Sequence, residues 1–171
     1  MTRVDLEQQI DRYAAQIVRA GLNLQPGQRL LITGSSPLQG VPLEAAALVR
    51  AIARHAYQVG APLVDVLWED PLVVRTRFEY APRDSFGDIA GWRPQVITDA
   101  LRRGDAFLTI RGADPDLLAG QDPALIGQAQ RTGFQAYAEV SKLLQRNATN
   151  WIVVAAPTVL GAVREVETRT L

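Results

Sequence analysis

The chain has no cysteine and a single histidine, His55. Without thiols it has no disulfide, no thiolate nucleophile and no thiolate metal ligand. Most acid–base and metal chemistry near neutral pH relies on imidazole, so one histidine is a thin inventory for hydrolysis. A net charge is missing too, because 18 Lys+Arg balance 18 Asp+Glu. Nucleic-acid binders usually carry a basic excess or stripe, so no nucleic-acid partner is expected. Lysine occurs once, at Lys142, and this reads as a habit of composition rather than a site. No apolar run approaches the ~18 residues that cross a bilayer. The start, "MTRVDLEQQIDRYAAQ", is charged and amphipathic, unlike a signal peptide. The expectation is a cytoplasmic protein with no membrane partner.

What is present suits one soluble domain. At 171 residues, roughly 70% of the unfolded surface can be buried on folding. Hydrophobic residues make up 47% and charged residues 21%, which is ordinary for a globular chain. No repeat, low-complexity stretch or Gly/Ser/Pro-rich linker divides it.

Leu6, Ile10, Tyr13 and Ile17, with Ala14, recur at helical spacing. Thr2 or Asp5 can cap that helix, and Gly21 can end it in the left-handed conformation. After the turn "LQPGQ", the run "RLLIT" (29–33) reads as a buried strand. "GSSPLQGVP" is a loop whose Pro42 suits the first turn of the next helix. That helix, "LEAAALVRAIARHAYQV", has Arg50, Arg54 and Gln58 on its wet face, and Gly60 ends it. "PLVDVLW" (62–68) is the second strand and completes a right-handed parallel unit. A helix follows from Asp70-Pro71, then an irregular stretch and the short helix "QVITDALRRG". "DAFLTI" is the third strand, and "WIVVAAP" (151–157) the fourth. Between them lies one helix, or two broken near Gly133. This alternation predicts an α/β fold: an open, mostly parallel sheet of four or more strands with helices on both faces, Rossmann-like and three-layered.

The candidate site residues lie at strand ends and helix starts. Asp70-Pro71, Asp114-Pro115 and Asp122-Pro123 fit helix N-caps: the aspartate accepts a free backbone N–H and proline has its φ already fixed. Arg111 follows the third strand directly, where open parallel sheets collect ligands. It can clamp a carboxylate or phosphate, or pair with Asp114 or Asp116, and the pairing is preferred. In "TGSSPLQG" (33–40), Ser35 and Ser36 can cradle an anion, but the loop is neither G-x-G-x-x-G nor a P-loop. His55, at the border of its helix faces, is expected to bond to backbone or water. Glu44 is too far along the helix to share a metal with it. Glu69-Asp70 is an adjacent carboxylate pair with no acid–base role assigned, since Asp70 has a capping task. No G-x-S-x-G elbow is present.

Several stretches in order carry a resemblance: "YAAQIVRAGLNLQPGQRLLITG", "ARHAYQVGAPLVDVLWED", "RTRFEYAP", "LTIRGADPDLLAGQDP" and "NWIVVAAPT". They resemble the amino-terminal half of the thermophilic-type metallo-aminopeptidases, the aminopeptidase T, S and II family, over about residues 6–158. The resemblance implies an α/β domain over 1–158, a divergent carboxyl-terminal tail over 159–171, and homodimeric assembly or self-association. It also implies, in the full-length enzyme alone, two divalent ions such as zinc or cobalt and a peptide substrate. The family's glutamate, histidine and aspartate ligands belong to a carboxyl-terminal half that has no counterpart here, so no catalytic or metal role is carried over and no cofactor is expected for this chain. The divergent "VLGAVREVETRTL" fits a shortened or frame-disrupted gene product, or one domain taken by itself. Two functions stand open. One is a non-catalytic amino-terminal domain that shapes a substrate chamber and supports dimerisation. The other is a free-standing module that holds a small anion or peptide end through Ser35, Ser36 and Arg111.

Overall fold

A computed structural model describes residues 3–34, 40–112 and 114–156. In chain order the elements are α1 (Arg3–Gln16), β1 (Leu30–Gly34), β2 (Val41–Pro42), α2 (Ala46–Val59), β3 (Val64–Val66), β4 (Trp68–Glu69), α3 (Pro71–Tyr80), α4 (Trp92–Arg103), β5 (Ala106–Arg111), α5 (Pro123–Ala136), α6 (Ala138–Gln145) and β6 (Trp151–Ala155). The main sheet has the order β3-β1-β5-β6 with every pair parallel, and β2 and β4 form a two-stranded parallel annex.

Register explains the layering. Leu30 lies opposite Ala106, Ile32 opposite Leu108 and Leu108 opposite Ile152, so these alternate side chains share one face. There they join Ala14, Val18, Leu48, Ile52 and Ala56 of the first two helices and the turn after α1 in the largest core. The residues between them, Leu31 and Phe107, face the other way onto Ile97, Leu101 and Val140 of α4 and α6. A third cluster, with Phe78 and Phe86 rings 4.8 Å apart beside Leu125 and Ala129, ties α3 to α5. Helices on both faces of a parallel sheet make the three-layer α/β fold expected from the alternation of elements.

The differences in detail have local causes. The second strand divides into β3 and β4 where Leu67 N donates to Ile32 O at 2.9 Å and Leu67 O accepts from Val41 N at 2.8 Å. Pro42 belongs to β2; a 3₁₀ turn over Leu43–Ala45 precedes α2. The α5–α6 break falls at Tyr137 (φ −92°, ψ 9°), and Gly133 stays within α5, buried. Asp5 lies inside the first turn of α1, and Thr2 is outside the described residues. Gly21 does not take the left-handed conformation: α1 runs into a π turn over Ile17–Gly21, and the positive φ, 50°, falls on Asn23. Gly21 instead allows close approach, since a Cβ there would stand 2.6 Å from Ile152 Cδ1. Gly60 is left-handed at φ 103° and ends α2.

Candidate functional site

The strand order makes one crevice. From β1 the chain crosses by α2 to β3 on one side, while β5 leads by α5 and α6 to β6 on the other. Connections therefore diverge between β1 and β5, and ligands of open α/β sheets gather beyond the carboxyl ends of such a pair. Beside these ends lies a cavity of about 190 Å³ whose lining includes Thr33, Gly34, Thr109, Phe134, Tyr137 and Ser141. Its wall is mostly apolar. Thr109 is 9% exposed, and its Oγ1 has no hydrogen-bond partner among the described residues. Burial pushes the Tyr137 hydroxyl pKa up; nearby Arg93 opposes this and Glu69 adds to it.

Next to the crevice a half-buried ion pair closes the annex. Glu69 Oε2 accepts from Arg93 Nη1 at 2.9 Å and from Gly40 N at 2.6 Å. Arg93 also stands over the Trp92 ring, 5.3 Å from its centroid. Gly40 is required here: a Cβ would meet Leu67 O at 2.5 Å. Glu69 and Asp70 thus face different partners, because Asp70 Oδ1 accepts Leu72 N–H at 2.9 Å as the N-cap of α3.

The other sequence candidates are dispersed. Asp122 caps α5 by accepting Ala124 N–H at 2.8 Å, and Arg83 also donates to it. Arg83 first, then the Ala124 N–H, holds its carboxyl below the ordinary value. Asp114 accepts Asp116 N–H at 2.9 Å, but turns rather than a helix follow, so it caps a turn. The helix expected there does not form. Arg111 ends β5 exposed, and its carbonyl accepts from Ala156 N at 2.8 Å. Ser35 and Ser36 lie outside the described residues.

The single imidazole bonds a side chain, where backbone or water was expected. His55 Nε2 donates to Asp11 Oδ1 at 2.8 Å, and Arg54 Nη2 donates to the same oxygen. This joins α2 to α1. Arg54 first, then His55, lowers the Asp11 pKa. Sequence reading missed the contact because Asp11 and His55 are 44 residues apart, with no motif linking them.

Chemically the crevice offers hydroxyls and apolar walls, suited to an uncharged group. The fold and site therefore define an open parallel α/β domain in which Glu69, Asp70, Asp122, Asp11 and the imidazole serve caps and ion pairs. A sequence profile of the thermophilic metalloprotease (M29) family matches residues 6–166, and the chain belongs to that family. It is 36% identical over 152 residues to aminopeptidase 2 of Geobacillus stearothermophilus, covering 89% of this chain and 35% of that protein. It is 32% identical over 145 residues to aminopeptidase T of Thermus thermophilus, with shares of 85% and 34%. The solved structure of wild-type AmpT from Thermus thermophilus superposes with a TM-score of 0.80 at 31% identity, covering 88% of this chain and 36% of that one. The chain spans about a third of the length of the curated relatives it matches. The family description implies a metal, yet the described residues do not fit one: no group of three or more His, Asp or Glu converges among them. The Asp11–His55 pair is already held by Arg54, a cation where a third metal ligand would be needed.

Proposed function

We propose that this chain is an amino-terminal, non-catalytic domain of the metallo-aminopeptidase architecture. In that role it shapes the chamber in which a peptide substrate is held and supports pairing of subunits. Removal of amino-terminal residues, and the two divalent ions such as zinc or cobalt that would serve it, belong to the part of the relatives that this chain does not match. One observation carries the reading. A chain that matches proteins named as aminopeptidases over about a third of their length employs its sole imidazole in a helix-to-helix contact with Asp11. A hydrolytic zinc site takes about three protein ligands, and the deployment of His55, Glu69, Asp70 and Asp122 in local contacts argues against one here. The cytoplasmic setting expected from the sequence is part of the same proposal. Among the described residues no helix is long and apolar enough to cross a membrane.

The test is hydrolysis of leucine- and arginine-p-nitroanilide by the purified chain with added zinc or cobalt. No turnover above buffer is expected. Robust turnover abolished by a chelator and restored by metal would overturn the reading.

A further inference from the structure

The α4–α6 face of the sheet carries a polar row near the carboxyl ends of its strands. Thr33 stands opposite Thr109 in the β1–β5 register. Side chains alternate along a strand, so both threonines share the face of Leu31 and Phe107, one step nearer those ends. Both are buried, at 6% and 9% exposure. A β-branched residue suits this place by shape, and valine would supply the same shape. What valine would lack is the hydroxyl. That of Thr109 is sealed and has no hydrogen-bond partner among the described residues, whereas buried polar groups are nearly always paired.

The cavity beside it has the size of a small molecule. Its volume is about 190 Å³, and a dry apolar cavity of ~150 Å³ already takes benzene. One six-membered ring with about two or three further atoms fits that space. Phe107, Ile97 and Val140 give it apolar walls, and Phe134, more than half exposed, adds a ring at its rim. The polar side chains of the lining all end in hydroxyls, those of Thr33, Thr109, Tyr137 and Ser141. Burial raises the Tyr137 pKa, which keeps that hydroxyl a neutral donor. Glu69 and Arg93, the charges that act on Tyr137, already bond each other at 2.9 Å. An ion entering the cavity would lose its water and meet no opposite charge, which is strongly unfavourable.

We infer that this cavity binds a small neutral aromatic molecule carrying one hydroxyl or amide group, its ring between the sheet and α6 and its polar group on Thr109. A turn of the Thr109 χ1 from one staggered well to another exchanges methyl and oxygen and brings the hydroxyl to the ligand. A hydroxyl both donates and accepts, so either polar group finds a partner there. The topology agrees with the chemistry. The cavity lies where connections diverge between β1 and β5, the position at which open α/β sheets hold ligands. This inference does not depend on the domain role proposed above.

The experiment is titration of the full chain at neutral pH, followed by protein NMR, with four ligands of similar size: benzyl alcohol, toluene, benzoate and benzylammonium. Benzyl alcohol should bind with a Kd of about 1 mM or tighter. Benzoate and benzylammonium should bind at least about tenfold more weakly. Thr109→Val keeps the shape of the wall and should weaken benzyl alcohol by about three- to tenfold, with toluene unchanged or tighter. If that variant does not fold, the native chain decides: nuclear Overhauser contacts are expected from the benzyl alcohol ring to the Thr109 and Val140 methyl groups. Failure of benzyl alcohol to bind by about 10 mM, equal binding of either ion, or contacts elsewhere on the molecule overturns the inference. So does a folded Thr109→Val chain that binds benzyl alcohol as the native one does.

Discussion

The two faces of the sheet are built from alternate residues of the same strands, yet they are finished differently. On the α1–α2 face, Leu30, Ile32, Leu108 and Ile110 are all but sealed from solvent. The helices there are joined by small residues such as Ala14, Ala51 and Ala56 that let them lie close. On the α4–α6 face Leu31 and Phe107 are sealed, but the next position out on each strand is a threonine, Thr33 and Thr109. The cavity opens there, and Phe134 stands 64% exposed beside it. Apolar burial is worth about 25 cal/mol per Å², so the first face carries most of the stability. The second gives up packing around the carboxyl ends of β1 and β5, where a parallel sheet can afford a crevice.

The comparison breaks most visibly at neighbouring residues of β5. Leu108→Ala, on the sealed face and 0% exposed, should cost roughly 2–5 kcal/mol by urea unfolding, the range for a leucine whose cavity cannot collapse. A loss under about 1 kcal/mol would mean that the two faces do not differ as described. Asp70→Ala removes the cap of α3, which packs against α5 outside both sheet faces' main clusters. A loss of about 1 kcal/mol is expected in the same measurement, with hydrogen exchange rising in the first turn of α3 and nowhere in α2.

The ion pair between α1 and α2 gives a smaller, pH-dependent effect. Arg54 and then His55 hold the Asp11 carboxyl below its ordinary value. A group whose folded pKa is lowered contributes stability above its unfolded pKa, and that contribution is lost as pH falls through the folded one. Asp11→Asn should therefore lower the urea midpoint at neutral pH and flatten the acid limb of the stability profile below about pH 4. An unchanged acid limb would show that the link adds nothing to holding the helices together, as many exposed pairs do not. The smallest effect is expected at Thr109→Val. It removes a buried hydroxyl with no described partner, so stability should stay within about 0.5 kcal/mol or rise. A large loss would place an essential hydrogen bond on the crevice face.

Much of the fold was legible because the apolar runs of β1, β5 and β6 are short and bounded by turn residues, and because Asp-Pro marks the starts of α3 and α5. The same Asp-Pro at Asp114 misled: the dipeptide fixes the cap, but the residues after it do not continue into a helix, and they form turns instead. Gly133 suggested a break by its low helix propensity. It is buried inside α5, and the bend falls at Tyr137, whose ring lines the crevice. The site was less legible than the fold. Arg111 could be placed at a strand end from its position alone. The Glu69–Arg93–Gly40 contact could not, because it joins β4, α4 and the segment before β2.

By itself the sequence determined the class of each main element, the parallel α/β order, and a donor inventory of one imidazole and no thiol. These follow from local periodicity, turn chemistry and composition, which act within a few residues. Only the tertiary structure decided that Asp11 holds His55, that one face of the sheet is sealed while the other keeps a crevice, and that β6 is the last described strand of the sheet, with its odd-numbered backbone groups turned away from β5. Those depend on which distant segments pack together, and distance along the chain carries no record of that.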